Sequence, residues 1–236
     1  MACEAAVRQT AVNFFSPDGL TLEGIIGAPT GDELPEGHRG GLPGVVYCAP
    51  EPHLGGTMLS PVIEALTREV TSRGFMTLRF NYRGVGGSSG ENSLGAGQAR
   101  DAQAAIDMLR EWPGVDAGRI GIVGYSYGSG VALRVAAQDP NGLRVVIAVS
   151  PILDIPLLGI STLDGLDALR LPVRFLIGEN DGLTPPARLR EWVRALGNSR
   201  MEVRVLEGAD RAWQDRRSEL AAETAAFLSE TLSRAP

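Results

Sequence analysis

Lysine is missing from this chain: all 22 cationic side chains among its 236 residues are arginine. A Schiff-base lysine, a lysine general base and the phosphate-binding lysine of a P-loop all need the absent side chain, so those chemistries are closed. The arginine-only usage itself is read as genome composition. Histidine is nearly missing too, with only His38 and His53 present. Two isolated imidazoles and no paired carboxylate motif leave metal binding unsupported, and no cofactor is expected. Two cysteines, Cys3 and Cys48, make neither a disulfide framework nor a zinc site and point to a reducing, cytoplasmic compartment. Long apolar runs are also lacking. The longest, around residues 145–160, is interrupted by Pro151, Asp154 and Pro156, and residues 1–12 carry Glu4 and no apolar signal region, so no membrane association is expected. The formal charge of −6 argues against nucleic acid as the main partner. A small-molecule substrate or ligand is the expected partner, and an oligomer is left open.

What is present suits one α/β domain over residues 1–236. With 44% hydrophobic and 21% charged residues, a chain of this length can bury a sizeable core. Val7–Phe15 and Leu20–Ala28 flank Ser16-Pro17-Asp18-Gly19, a turn between two β-rich runs, and predict an antiparallel hairpin. Residues 30–41 are polar and rich in Gly and Pro, and His38 within them is a solvated loop residue with no assigned role. The pattern then alternates strand and helix: Gly44–Cys48, Met58–Arg73, Met76–Phe80, Gly97–Trp112, Ile120–Gly124, Ser126–Asp139. Strands at Val145–Val149, Val173–Ile177 and Met201–Leu206 follow, with helices at Pro185–Leu196 and Trp213–Leu232. Such alternation predicts a mostly parallel, eight-stranded sheet with helices on both faces. Ligands of such sheets sit outside the carboxyl ends of the strands.

The most informative segment is Gly124-Tyr125-Ser126-Tyr127-Gly128. A strand precedes it and a small-residue helix, Gly128-Ser129-Gly130-Val131-Ala132, follows, which is the context of a G-x-S-x-G nucleophile elbow. A serine hydroxyl is a weak nucleophile until a base takes its proton, yet no histidine follows Ser126. Arg83-Gly84-Val85-Gly86-Gly87-Ser88-Ser89-Gly90 is rich in glycine, but the G-x-G-x-x-G pattern fails at Ser89, and a P-loop would need a lysine.

With the elbow, the run Pro50-Glu51-Pro52-His53-Leu54-Gly55-Gly56-Thr57-Met58, the segment Arg79-Phe80-Asn81-Tyr82-Arg83-Gly84 and Gly178-Glu179-Asn180-Asp181, the chain resembles the α/β-hydrolase superfamily over nearly its whole length. Its small serine hydrolases, of the esterase and dienelactone-hydrolase kind, are the nearest in character. The resemblance implies a serine, acid and histidine in that chain order, with Ser126 as nucleophile and Asp181, or failing it Glu179, as acid. It also implies a histidine just after the last strand, in a Gly-x-Asp-His-like turn. This sequence has Gly208-Ala209-Asp210-Arg211 there, so Arg211 stands at the histidine position. A guanidinium offers only N–H donors and no lone pair, so Arg211 cannot be a general base, although it can pair with Asp181.

The oxyanion hole implied by the resemblance uses the N–H of the residue after the nucleophile, Tyr127, and one from the loop after the third strand. That loop reads Ala49-Pro50-Glu51-Pro52 where similar proteins carry His-Pro-His-Pro. Proline has no N–H, which leaves Glu51 as the candidate donor. His53 is the possible alternative base. Only residues 150–172 separate two late strands, so no large cap fits; one short helix at Leu163–Leu169 is expected at the edge of an open site. Three functions stay open: impaired or non-classical hydrolysis of a small ester, thioester or amide; a non-catalytic protein holding an anionic ligand or a partner; and lyase or isomerase chemistry on the same fold.

Overall fold

The computed structural model describes residues 7–30, 41–92, 95–139, 142–155 and 160–232. His38 and Cys3 lie outside them. The chain opens with an antiparallel hairpin, β1 (Val7–Phe15) and β2 (Thr21–Pro29). Gly19 reverses it at φ +81°, a conformation cheap only for glycine, and the Ser16 hydroxyl donates to Asp18 Oδ1 at 2.5 Å. There follow β3 (Leu42–Cys48), α1 (Pro61–Ser72), β4 (Met76–Phe80), α2 (Ala96–Arg110), β5 (Val115–Tyr125), α3 (Tyr127–Gln138) and β6 (Val145–Val149). The last elements are β7 (Val173–Gly178), α4 (Pro186–Leu196), β8 (Met201–Leu206) and α5 (Arg217–Leu232). The sheet order is β1-β2-β4-β3-β5-β6-β7-β8, with β1, β2 and β4 paired antiparallel and the neighbours from β4 to β8 parallel.

Parallel strands buried on both faces read as continuous apolar runs, and β3 is buried at every position. Its side chains alternate: Val45 and Tyr47 join α1 and α5 on one face, while Val46 and Cys48 join α2, α3 and α4 on the other. The sheet is thus covered on both sides, and its open rim at the strands' carboxyl ends is left for loops.

Several boundaries differ from the sequence expectation. The first helix begins at Pro61, not Met58, because proline is pre-organised for the first helical turn and Ser60 precedes it. The fifth strand starts at Val115, five residues before Ile120, where residues 114–115 are drawn against β3 by the Leu42 N–H to Gly114 carbonyl bond. The last helix starts at Arg217, since Trp213 holds φ +57° and cannot be helical. The expected helix at Leu163–Leu169 is absent. That stretch is a run of turns after a single 3₁₀ turn at Ile160–Thr162, because Gly165 takes φ +79° and breaks the helix.

The glycine-rich segment after β4 is a structural rim. Glu23 of β2 accepts from the Gly87 N–H at 2.7 Å and from Asn81 Nδ2 at 2.6 Å, and a Cβ on Gly86 would collide with that carboxylate. Arg83 is buried between Asp101 and Asp18, at 2.7 Å and 2.8 Å. Among the described residues no helix is long and apolar enough to cross a membrane, and no group of three or more His, Cys, Asp or Glu could hold a metal ion.

Candidate functional site

Ser126 joins β5 to α3 with φ 56° and ψ −116°, a conformation that a non-glycine residue holds only at a cost of roughly 1–3 kcal/mol. Two contacts explain the glycines around it. A Cβ on Gly124 would run into the carbonyl oxygen of Gly128, and one on Gly128 into the carbonyls of Cys48 and Ala49. The elbow is therefore clamped against the end of β3. The Ser126 N–H donates to the Val149 carbonyl at 2.8 Å, and the buried Ser129 hydroxyl bonds the carbonyls of Gly124 and Val149, both at 2.9 Å. These bonds hold the serine between β5 and β6.

Asp181 lies three residues past the end of β7, with its side chain fully buried. Oδ1 accepts the N–H groups of Leu183 at 3.0 Å and Thr184 at 2.9 Å, the hydrogen bonding of a turn aspartate. The same carboxylate also takes Arg211: Nη1 stands 3.0 Å from Oδ2 and 3.2 Å from Oδ1. Arg211 Nη2 donates to Ser126 Oγ at 3.0 Å. One planar guanidinium thus bridges acid and serine. Glu179, the second candidate acid, is exposed and accepts from the Gly208 N–H at 2.9 Å.

The loop after β3 brings Glu51 into the interior, at 6% exposure. Its side chain turns back on its own loop, Oε1 accepting the His53 N–H at 3.0 Å ahead of the 3₁₀ turn Pro52–Leu54. His53 itself is exposed. Tyr127 opens α3, so its N–H has no partner inside the helix, as an oxyanion donor requires. Its phenol accepts from the Gly95 N–H at 3.0 Å. Burial above all makes that phenol less acidic than usual, and the Glu51 carboxylate adds to the shift.

The residues that hold Arg211 in place were not legible beforehand. Ser150 and Trp213 share with Ser126 a positive φ, 43° and 57°, and the buried Trp213 indole donates to Ser150 Oγ at 2.9 Å. This ties the β8–α5 loop to the end of β6. The Tyr125 hydroxyl, from the variable position of the elbow, donates to the Arg211 carbonyl at 3.0 Å. Burial raises the Tyr125 pKa, while the Arg211 charge opposes the shift.

An elbow clamped by glycines, on the central strand of this sheet order, defines an α/β hydrolase of the serine-hydrolase type. The family model described as X-Pro dipeptidyl-peptidase (S15 family) matches residues 33–157, and the chain belongs to that family. The match includes Glu51, Ser126 and Tyr127 and ends before Asp181 and Arg211. An uncharacterized protein of Rickettsia prowazekii is 29% identical over 167 residues, 68% of each chain. The solved structure of an alpha-beta serine hydrolase homologue from Coxiella burnetii superimposes with a TM-score of 0.78 at 26% identity, covering 93% of this chain and 97% of that one. A serine hydrolase without lid from Xanthomonas campestris shares the fold at 20% identity, with a TM-score of 0.77 and 97% of both chains covered.

Proposed function

We propose that this chain binds a small carboxylate-bearing molecule in a serine-hydrolase cleft and does not turn over esters by the serine–acid–histidine route. The observation that carries this reading is Arg211 donating to Ser126 Oγ and Asp181 at once. For the serine to attack, a neighbour must accept its proton, and the group touching Oγ is itself a donor. The Ser126 hydroxyl, the Arg211 Nη2–H and the Tyr127 N–H are all donors, a set that suits a carboxylate through charge-assisted hydrogen bonds. Leu183, two residues beyond Asp181 and 46% exposed, adds apolar surface at the acid loop for the rest of the ligand.

The test pairs binding with labelling. Calorimetry with acetate and butyrate should show binding that Arg211→Ala abolishes and Ser126→Ala largely spares, and a fluorophosphonate probe should leave Ser126 unlabelled between pH 6 and 9. Rapid labelling that disappears in Ser126→Ala would instead establish an activated nucleophile. That second reading, slow hydrolysis of activated esters, is favoured by one feature: the strained φ of Ser126 that presents its hydroxyl is intact.

A further inference from the structure

Among the described residues three carboxylates are buried: Glu51, Asp101 and Asp181. Asp101 has Arg83 at 2.7 Å and Asp181 has Arg211 at 3.0 Å. Glu51 has no cation within ion-pair distance among the described residues. Its Oε1 accepts one backbone N–H, and its Oε2 is buried with no hydrogen-bond partner. Buried carboxylates are ordinarily paired or multiply hydrogen-bonded, because stripping water from an ion is costly unless something replaces it. A buried oxygen left without a donor at the rim where ligands bind is therefore informative.

Its position is defined by the fold. β3 and β5 are neighbours, Glu51 follows the first and Ser126 the second, and α3 begins in contact with residues 48–49. The Glu51 charge is felt at the phenol of Tyr127, the residue beside Ser126. His53 and Leu54, two and three residues further on, are exposed and offer Oε2 no donor.

We propose that Glu51 is the cation-accepting arm of this cleft and takes a protonated primary amine of the ligand on Oε2. An ammonium group supplies both the charge and the donor that Asp101 and Asp181 receive from arginine. Resting on the carboxylate reading above, this makes the ligand a small zwitterion of the amino-acid class, its carboxylate at Arg211 and Tyr127 and its ammonium at Glu51.

Isothermal titration of the full chain with a ladder from glycine and β-alanine to 6-aminohexanoate, alongside n-alkylamines, alkanols and alkanoates of matching length, reads both arms separately. The wild type should bind one amino acid of the ladder about tenfold or more tighter than its alkanoate, and alkylamines more tightly than alkanols. Glu51→Gln, which keeps an oxygen for the His53 N–H, should erase both preferences without weakening alkanoate binding. Alkanoate binding with no preference for the amine would overturn the Glu51 assignment and leave the carboxylate reading standing. Amine binding lost in Glu51→Gln, with no alkanoate binding, would uphold Glu51 and sink the carboxylate reading. Binding of none of these probes would overturn both. The wild-type comparison of amine against alkanol needs no variant, so it decides the matter even if Glu51→Gln does not fold.

Discussion

Exchanging Arg211 for histidine tests the site more sharply than any deletion, because it supplies the missing base and leaves everything else alone. In the structure two nitrogens of one planar group span Asp181 and Ser126, at 3.0 Å each. An imidazole at that position does the same with one nitrogen donating to the acid and the other free to accept the serine proton. Asp181 is already oriented by the Leu183 and Thr184 N–H groups, and Trp213 anchors the loop that carries residue 211. The triad histidine of a serine protease is worth on the order of 10⁶ in turnover. An oxyanion hole weakened by the Glu51 carboxylate withholds about 10²–10³ of that. An imidazole misplaced by an ångström withholds about 10² more.

What remains is a gain of about tenfold as a floor. Initial rates with p-nitrophenyl acetate should rise by at least that factor in Arg211→His, the gain should vanish in Arg211→His/Ser126→Ala, and the new activity should follow an imidazole titrating near pH 6.5. A folded Arg211→His protein no faster than wild type would refute the reasoning that this one side chain separates the site from catalysis.

Three further outcomes follow from the same structure. Asp181→Asn removes the partner of a guanidinium only 22% exposed and should lower unfolding stability by about 3 kcal/mol, read by urea denaturation; a change near zero would mean the pair is a surface contact. Gly128→Ala places a methyl against the carbonyls of Cys48 and Ala49 and should abolish the soluble folded protein, while Gly55→Ala, which meets no atom and only strains a φ of +80°, should be far milder. Asp18 is held well below the usual carboxylate range, first by its hydrogen bond from Arg83. A depressed folded pKa contributes stability above the unfolded value near 4 that is lost as pH falls, so Asp18→Asn should flatten the acid limb of the stability curve between about pH 5 and pH 2 and leave it unchanged in shape above.

Periodicity carried the fold well because its signals are local. The strands expected at Val145–Val149 and Met76–Phe80 match the observed ones end to end, and the elbow glycines report a packing constraint that only glycine meets. The misreadings fall where tertiary packing outweighs local preference. Trp213 looks like a helix start, yet its indole is drawn to Ser150 across the sheet's edge and its backbone takes a left-handed turn to get there. Leu163–Leu169 has a helical spacing of leucines, and Leu166 and Leu169 are indeed buried, but Gly165 lets the chain bury them through turns. In the site, Arg211 was legible as the residue standing where a histidine is expected. Its simultaneous reach to Asp181 and Ser126 was not, because it depends on the loop held by Tyr125 and Trp213.

The charges of the cleft bear on one another. Arg211 is neutralised by Asp181, so Glu51 leaves the three together with a net charge of −1. A bare carboxylate entering beside Ser126 meets one guanidinium N–H in its favour and an unbalanced buried anion against it, and in a poorly solvated site such repulsion is screened little. A ligand that brings its own ammonium removes that penalty and gains a charge-assisted bond, so the zwitterion owes its advantage to Glu51 twice over. It follows that Glu51→Gln should shift the two ligand types in opposite directions, tightening butyrate while loosening the preferred amino acid. Parallel losses for both would mean that Glu51 shapes the loop and does not meet the ligand.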